Sequence, residues 1–218
     1  MEFEQFLKEI DFLPNPPDGN LVFGRKMYFN QIECLRFINR KDNKLIYIKT
    51  QRQEGISSII NIYLIWLALK NPGFNITNIL NSLMSSNYEF KNIINIIQRN
   101  DTFFQTYFNN QKVKKSQNYL STSYLLPNNS RLNCDSQSKI VRGNRFNCIV
   151  FNDVGLNDLE NIIDYYLPSL NIDGQIIIIS HLDKPKYLDV FTNYCYNGTI
   201  QTRHVLFEKQ LKRINGKI

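Results

Sequence analysis

The chain has 218 residues, 43% hydrophobic and 13% aromatic, which is enough for one sizeable core and fits one large domain better than two. Its 26 Lys and Arg against 19 Asp and Glu give a net charge of +7, a balance that suits a polyanionic partner such as DNA and equally suits a solvated basic surface. Cys34, Cys134, Cys148 and Cys195 are widely spaced without a CxxC pair, which indicates neither a zinc site nor a disulfide framework and fits a reduced, cytosolic protein.

In chain order, Glu2 to Ile10 reads as a short helix stopped by Pro14, Pro16, Pro17 and Gly19, so residues 1–26 are expected to be an arm or linker. Glu2, Glu4, Lys8 and Glu9 interrupt its apolar residues, and no signal peptide is read there. Gln31 to Ile38 has helical spacing through Ile32, Leu35, Phe37 and Ile38, and after the polar break Asn39 to Asn43 comes a strand, Lys44 to Lys49. Ser57 to Leu69 is a strongly apolar helix; its run from Ile59, broken by Asn61, is too short to span a bilayer. A soluble intracellular protein is expected.

Phe74 to Leu80 reads as a strand, and Asn87 to Gln98 as a helix with Phe90, Ile93, Ile94 and Ile97 on one face. Asp101 to Lys115 is mixed. Tyr119 to Leu126 and Arg131 to Cys134 flank Pro127-Asn128-Asn129-Ser130, which has hairpin-turn chemistry. Cys148 to Phe151 is an apolar strand ending in Asn152-Asp153, Asp158 to Leu167 is helical, Gln175 to Ile179 is a buried strand, and Lys186 to Tyr196 is a last helix. Residues 201–218 form a basic tail with Lys209, Lys212, Arg213 and Lys217. This alternation predicts an α/β fold over residues 27–200, a mainly parallel sheet with helices on both faces.

The segment Tyr47-Ile48-Lys49-Thr50-Gln51-Arg52-Gln53-Glu54-Gly55-Ile56-Ser57-Ser58 has the outline of a phosphate-binding loop: a strand, a polar turn with a glycine, then a helix start. In such a loop backbone N–H groups and the helix N-terminus hold phosphates, a Lys neutralises the terminal phosphate and the next Ser or Thr binds Mg²⁺. Ile56 stands where the Lys belongs. With no G-x-S-x-G or H-E-x-x-H pattern, and only His181 and His204 as imidazoles, no competing active site emerges.

Taken in order, Gln31, the Gln51 to Ser57 loop, the Pro127 to Ser130 turn, Val141-Arg142-Gly143-Asn144-Arg145-Phe146, and Ile149-Val150-Phe151-Asn152-Asp153-Val154 resemble the N-terminal ATPase domain of the large terminase subunits of tailed phages. The likeness runs from Met27 to Tyr196 and implies a P-loop NTPase-like fold, ATP and Mg²⁺ as cofactors, and DNA, a portal and other packaging proteins as partners of a ring-forming motor. It also implies a glutamine on the adenine, at Gln31, and loop contacts from Gln51, Arg52, Gln53, Gly55, Ile56, Ser57 and Ser58. Mg²⁺ falls to Ser57, Asn152 and Asp153, and catalysis to Asp153 and Arg52. Arg142 matches an arginine that senses phosphate or orders its loop, and Ser180-His181 falls where the family carries a hydroxyl-rich coupling motif.

The chain departs from that pattern at three charged positions: Ile56 for Lys, Asn152 for the Mg²⁺-supporting Asp, and Asp153 for the water-activating Glu. Ile donates nothing to phosphate, Asn is a neutral and poorer Mg²⁺ ligand, and Asp is one methylene shorter than Glu. The expectation is a degenerate ATPase fold acting as a noncatalytic packaging component; the alternative is an active DNA-translocating ATPase with a separate nuclease partner. The residues after Tyr196 are too few for the family's nuclease domain. The loop and Asn152-Asp153 are expected together at the carboxyl ends of adjacent strands.

Overall fold

Strands buried on both faces read as continuous apolar runs, and Cys148 to Phe151 and Ile176 to Ile179 are such runs. The structure, a computed structural model, describes residues 2–10, 29–40, 45–49, 55–109, 114–117, 121–136, 144–153, 166–180 and 204–207. Among them lie the strands β1 (Leu45–Lys49), β2 (Asn75–Leu80), β3 (Lys114–Gln117), β4 (Ser121–Leu125), β5 (Arg131–Ser136), β6 (Phe146–Asn152), β7 (Leu170–Ser180) and β8 (His204–Phe207). They form one sheet in the order β3-β4-β5-β2-β6-β7-β1-β8. All neighbours from β5 across to β8 run parallel, and β3–β4 and β4–β5 are antiparallel.

The helices are α1 (Phe3–Glu9), α2 (Phe29–Ile38), α3 (Ile56–Lys70), α4 (Leu83–Arg99) and α5 (Asp101–Tyr107). Each contributes to one apolar cluster with alternate strand positions such as Ile46 and Ile48, Ile76 and Leu80, and Ile177 and Ile179, so these five helices cover one face of the sheet. On the opposite face Tyr166 packs edge-on to Phe151, ring centroids 6.1 Å apart. The helices expected over 158–167 and 186–196 lie outside the described residues, apart from the last turn before β7.

The longest buried helix follows from its sequence. α3 is apolar around its whole circumference, and 11 of its 15 residues are buried. α4 is amphipathic and begins one turn before the expected Asn87, because Ser82 caps it by accepting from the Ser85 backbone N–H at 3.1 Å. The residues Asp101 to Lys115, mixed in sequence, split into α5 and the start of the edge strand β3.

Two segments expected beside the domain contribute to it. Phe3 and Phe6 of α1 are buried, with the Phe6 ring 5.2 Å from that of Trp66 on α3, and Glu4 accepts two bonds from Arg36 of α2. β8, within the expected basic tail, pairs parallel with β1. Buried aromatic area explains the first, and an unpaired edge on β1 the second.

Candidate functional site

Parallel strands bring their carboxyl ends to one edge of the sheet, and ligand crevices form there. At that edge β1 ends at Lys49, β7 at Ser180 and β6 at Asn152, with Lys49 level with Ser180 and Asn152 level with Ile179. The loop strand and the Asn152-Asp153 strand therefore share the edge without being neighbours. The expected adjacency is corrected: β7 lies between them, and Ser180, 4% exposed, separates the two segments.

Leaving the loop, the chain passes through Gly55 at φ +73° and enters α3 at Ile56. This left-handed residue has no side chain with which to cap the first turn, and that turn holds no acidic residue. The helix end therefore presents partial positive charge. Gln31 of α2 lies against this turn: a Cβ on residue 55 would stand 3.1 Å from Gln31 Nε2. Gln31 is buried beside the glycine.

Ile56 belongs to the apolar core and is 4% exposed, whereas Ser57 and Ser58 are half-buried on the first turn. A side chain locked among core residues supplies no charge to a phosphate, so the apolar substitution in the loop is a packing residue. Gln51, Arg52 and Gln53 lie outside the described residues, as do Arg142 and His181.

At the end of β6 Asn152 is buried and Asp153 is exposed. Asp153 takes a left-handed backbone, φ +54°, and its N–H donates to the Ile179 carbonyl at 3.1 Å. That bond fixes the turn against β7, and Asp is among the few non-glycine residues that tolerate this region. The edge thus gathers Gly55, Ser57, Ser58, Gln31, Ser180, Asn152 and Asp153 from four elements.

The fit to ATP and Mg²⁺ is partial. The Gly55 turn and α3 N-terminus suit a phosphate, Ser57 offers a hydroxyl and Asp153 a carboxylate, but Ile56 gives no cation and Asn152 gives a neutral amide. Among the described residues no three His, Cys, Asp or Glu side chains gather as a metal site. Burial pushes the Cys34 thiol up to about 12 and raises Cys134 and Cys148 as well, so none is a ready thiolate nucleophile.

Two further features escaped the sequence reading, the first near this edge and the second at the opposite, amino-end edge of the sheet. Asp135, fully buried near the carboxyl end of β5, accepts from Thr77 Oγ1 at 2.8 Å. Its strand was expected to stop at Cys134, and the alternation Arg131, Asn133, Asp135 was the available signal. The Pro127 to Ser130 turn does more than join β4 to β5: Asn128 Nδ2 donates to the Ala68 carbonyl at 2.7 Å and Ser130 Oγ to the Asn71 carbonyl at 2.8 Å. The turn closes the C-terminal end of the helix that starts at Gly55.

No protein-family model and no curated protein matches the chain. Solved structures do. The large terminase of bacteriophage HK97 superimposes with a TM-score of 0.66 at 12% identity, covering 89% of this chain and 41% of its own. The large terminase of a thermophilic bacteriophage gives 0.55 at 9% identity over 84% of this chain and 46% of its own. The ATPase domain of the Thermus phage P74-26 large terminase gives 0.54 at 17% identity over 72% of this chain and 65% of its own. The chain spans about two fifths of the HK97 protein. With the parallel sheet, the Gly55 turn and the Asn152-Asp153 strand end in place, it has the fold of the ATPase domain of phage large terminases.

Proposed function

We propose that the chain is a noncatalytic component of viral DNA packaging, built on the terminase ATPase fold and working by binding DNA, a portal or other packaging proteins. The observation that carries this reading is the burial of Ile56, 4% exposed within the apolar core, the residue that the sequence resemblance matches to the family's phosphate-binding lysine. Asn152 adds to it by replacing a metal-binding carboxylate with a neutral amide. Phosphoryl transfer depends almost wholly on positioning and on stabilising negative charge, so removing two such groups together is hard to offset.

Its net charge of +7 supports a polyanionic partner. No described helix is long and apolar enough to cross a membrane, and the host cytoplasm, where packaging proteins assemble, is the proposed location. DNA binding then involves Lys44, Lys49, Arg52 and the basic residues after 208, and weakens steeply as salt rises because phosphate contacts release counterions.

The alternative is an active ATP-dependent translocating ATPase with a separate nuclease. The Gly55 turn at the start of α3, with Gln31 beside it and the Asp153 carboxylate at the same edge, favours it. Metal-dependent phosphate release, measured with and without DNA, separates the two. Negligible turnover in both conditions is expected; robust turnover abolished by Asp153→Ala establishes the motor.

A further inference from the structure

Among the described residues three fully buried side-chain polar atoms have no hydrogen-bond partner: Asn61 Oδ1, and both Nδ2 and Oδ1 of Asn78. Both residues are 0% exposed. Asn78 lies on central strand β2 between Ile76 and Leu80, alternate positions that face the helices, and its register partners are Cys134 of β5 and Val150 of β6. Its neighbour Thr77 points the other way, to Asp135. Asn78 thus enters the layer between the sheet and α3 and α4.

Asn61 reaches the same layer from α3. Its Nδ2 donates to Glu89 Oε2 of α4 at 2.6 Å, which leaves its oxygen uncommitted. The electrostatic reach of Glu89 extends to Cys134, the residue directly beside Asn78 on the adjoining strand. Asn61, Glu89 and Asn78 are thus buried polar residues that α3, α4 and β2 contribute to one mainly apolar layer.

Orphaned buried amides are unfavourable, and native proteins satisfy nearly all such atoms with protein or with ordered water. Here the unmet demand is two acceptors and one donor. A water molecule has two O–H donors and lone pairs to accept, so one water matches the demand in number and kind. Exchanging the oxygen and nitrogen of Asn78 leaves the count unchanged, because both atoms are unpaired.

We propose that a buried water molecule binds between α3, α4 and the β2–β5 pair, donating to Asn61 Oδ1 and Asn78 Oδ1 and accepting from Asn78 Nδ2. The water ties the central strand to the helix that carries the Gly55 turn, joining two elements through a polar contact where the rest of the layer is apolar. It is independent of the nucleotide question, since it lies within the core and not at the carboxyl edge.

The test pairs a high-resolution crystal structure with magnetic relaxation dispersion of the water oxygen, which counts long-lived internal waters, on the wild type and Asn78→Val. Expected are density for one water about 2.7–3.2 Å from both asparagines, loss of one long-lived water in the variant, and a lower unfolding midpoint for it. A dry layer in which Asn78 bonds directly to Asn61 or another protein group overturns the proposal. So does a variant with an unchanged water count, or one whose midpoint rises because two orphaned atoms have gone. Should Asn78→Val fail to fold, the wild-type density and relaxation decide alone.

Discussion

Asn128 Nδ2 donates to the Ala68 carbonyl at 2.7 Å, so a hairpin turn 60 residues away in sequence closes the last turn of α3. The final carbonyls of a helix have no partner within it. Asn128 meets those of Ala68 and Leu69, Tyr107 Oη adds a bond to Leu69, and Lys70 provides the favourable charge at this end.

Asn128→Ala removes the turn's bonds to the helix while leaving its backbone free to persist. A loss of about 1–2 kcal/mol is expected, read as a lower urea midpoint with an unchanged slope. A shift within error means that water satisfies the Ala68 and Leu69 carbonyls as well as the amide does.

Ile56→Lys restores the family's cation at the price of the core. The new ammonium enters a buried site at the positive end of α3, so the variant loses about 2 kcal/mol or more of stability. Calorimetric titration with ATP should show tighter phosphate binding without matching phosphate release, because Asn152 and Asp153 stay as they are. Full retention of stability means that the lysine reaches the crevice, and the site is then open where the native isoleucine fills it.

Asp153 tests the backbone instead. At φ +54° a β-branched side chain is strongly disfavoured, so Asp153→Val loses about 1–2 kcal/mol, whereas Asp153→Gly stays near neutral or gains. Thermal unfolding of the three proteins provides the ranking. Equal midpoints place the strain elsewhere and remove the turn as a rigid feature of the strand end.

Period and punctuation made the elements legible: the apolar runs of β1, β6 and β7, the all-apolar α3 and the turn at Asn128 each carry a local signal. Lateral strand order carries none. It depends on where each crossover returns, and so β7 and Ser180 fall unannounced between the loop strand and Asn152. Ile56 was legible as a departure from a motif, whereas its place in the core depends on how α3 packs. Gln31 could be placed at the loop only through family resemblance, since its contact with Gly55 spans two helices. Phe3 and Phe6 were hidden by the prolines that follow them, which mark a break in the helix and say nothing about where the helix docks.

Glu89 yields the last prediction. Burial is the largest influence on its carboxyl and raises its pKa above the ordinary 4.5, against smaller lowering effects from the bonds with Asn61 and Asn92. Among the described residues no cation pairs with it, and the Cys134 thiol on the adjoining strand stays neutral because burial raises its pKa. The folded protein therefore holds this proton more tightly than the unfolded chain does. Its contribution to stability is fully present below the unfolded value and is lost as pH rises from there through the higher folded value. Glu89→Gln keeps an acceptor for Asn61 but cannot ionise, so the wild type should lose stability relative to the variant across that window and then level off. Urea midpoints of both proteins from about pH 4 to about pH 8 measure the difference. A pH-independent difference would falsify the raised pKa and mean that Glu89 ionises in the fold as readily as in water.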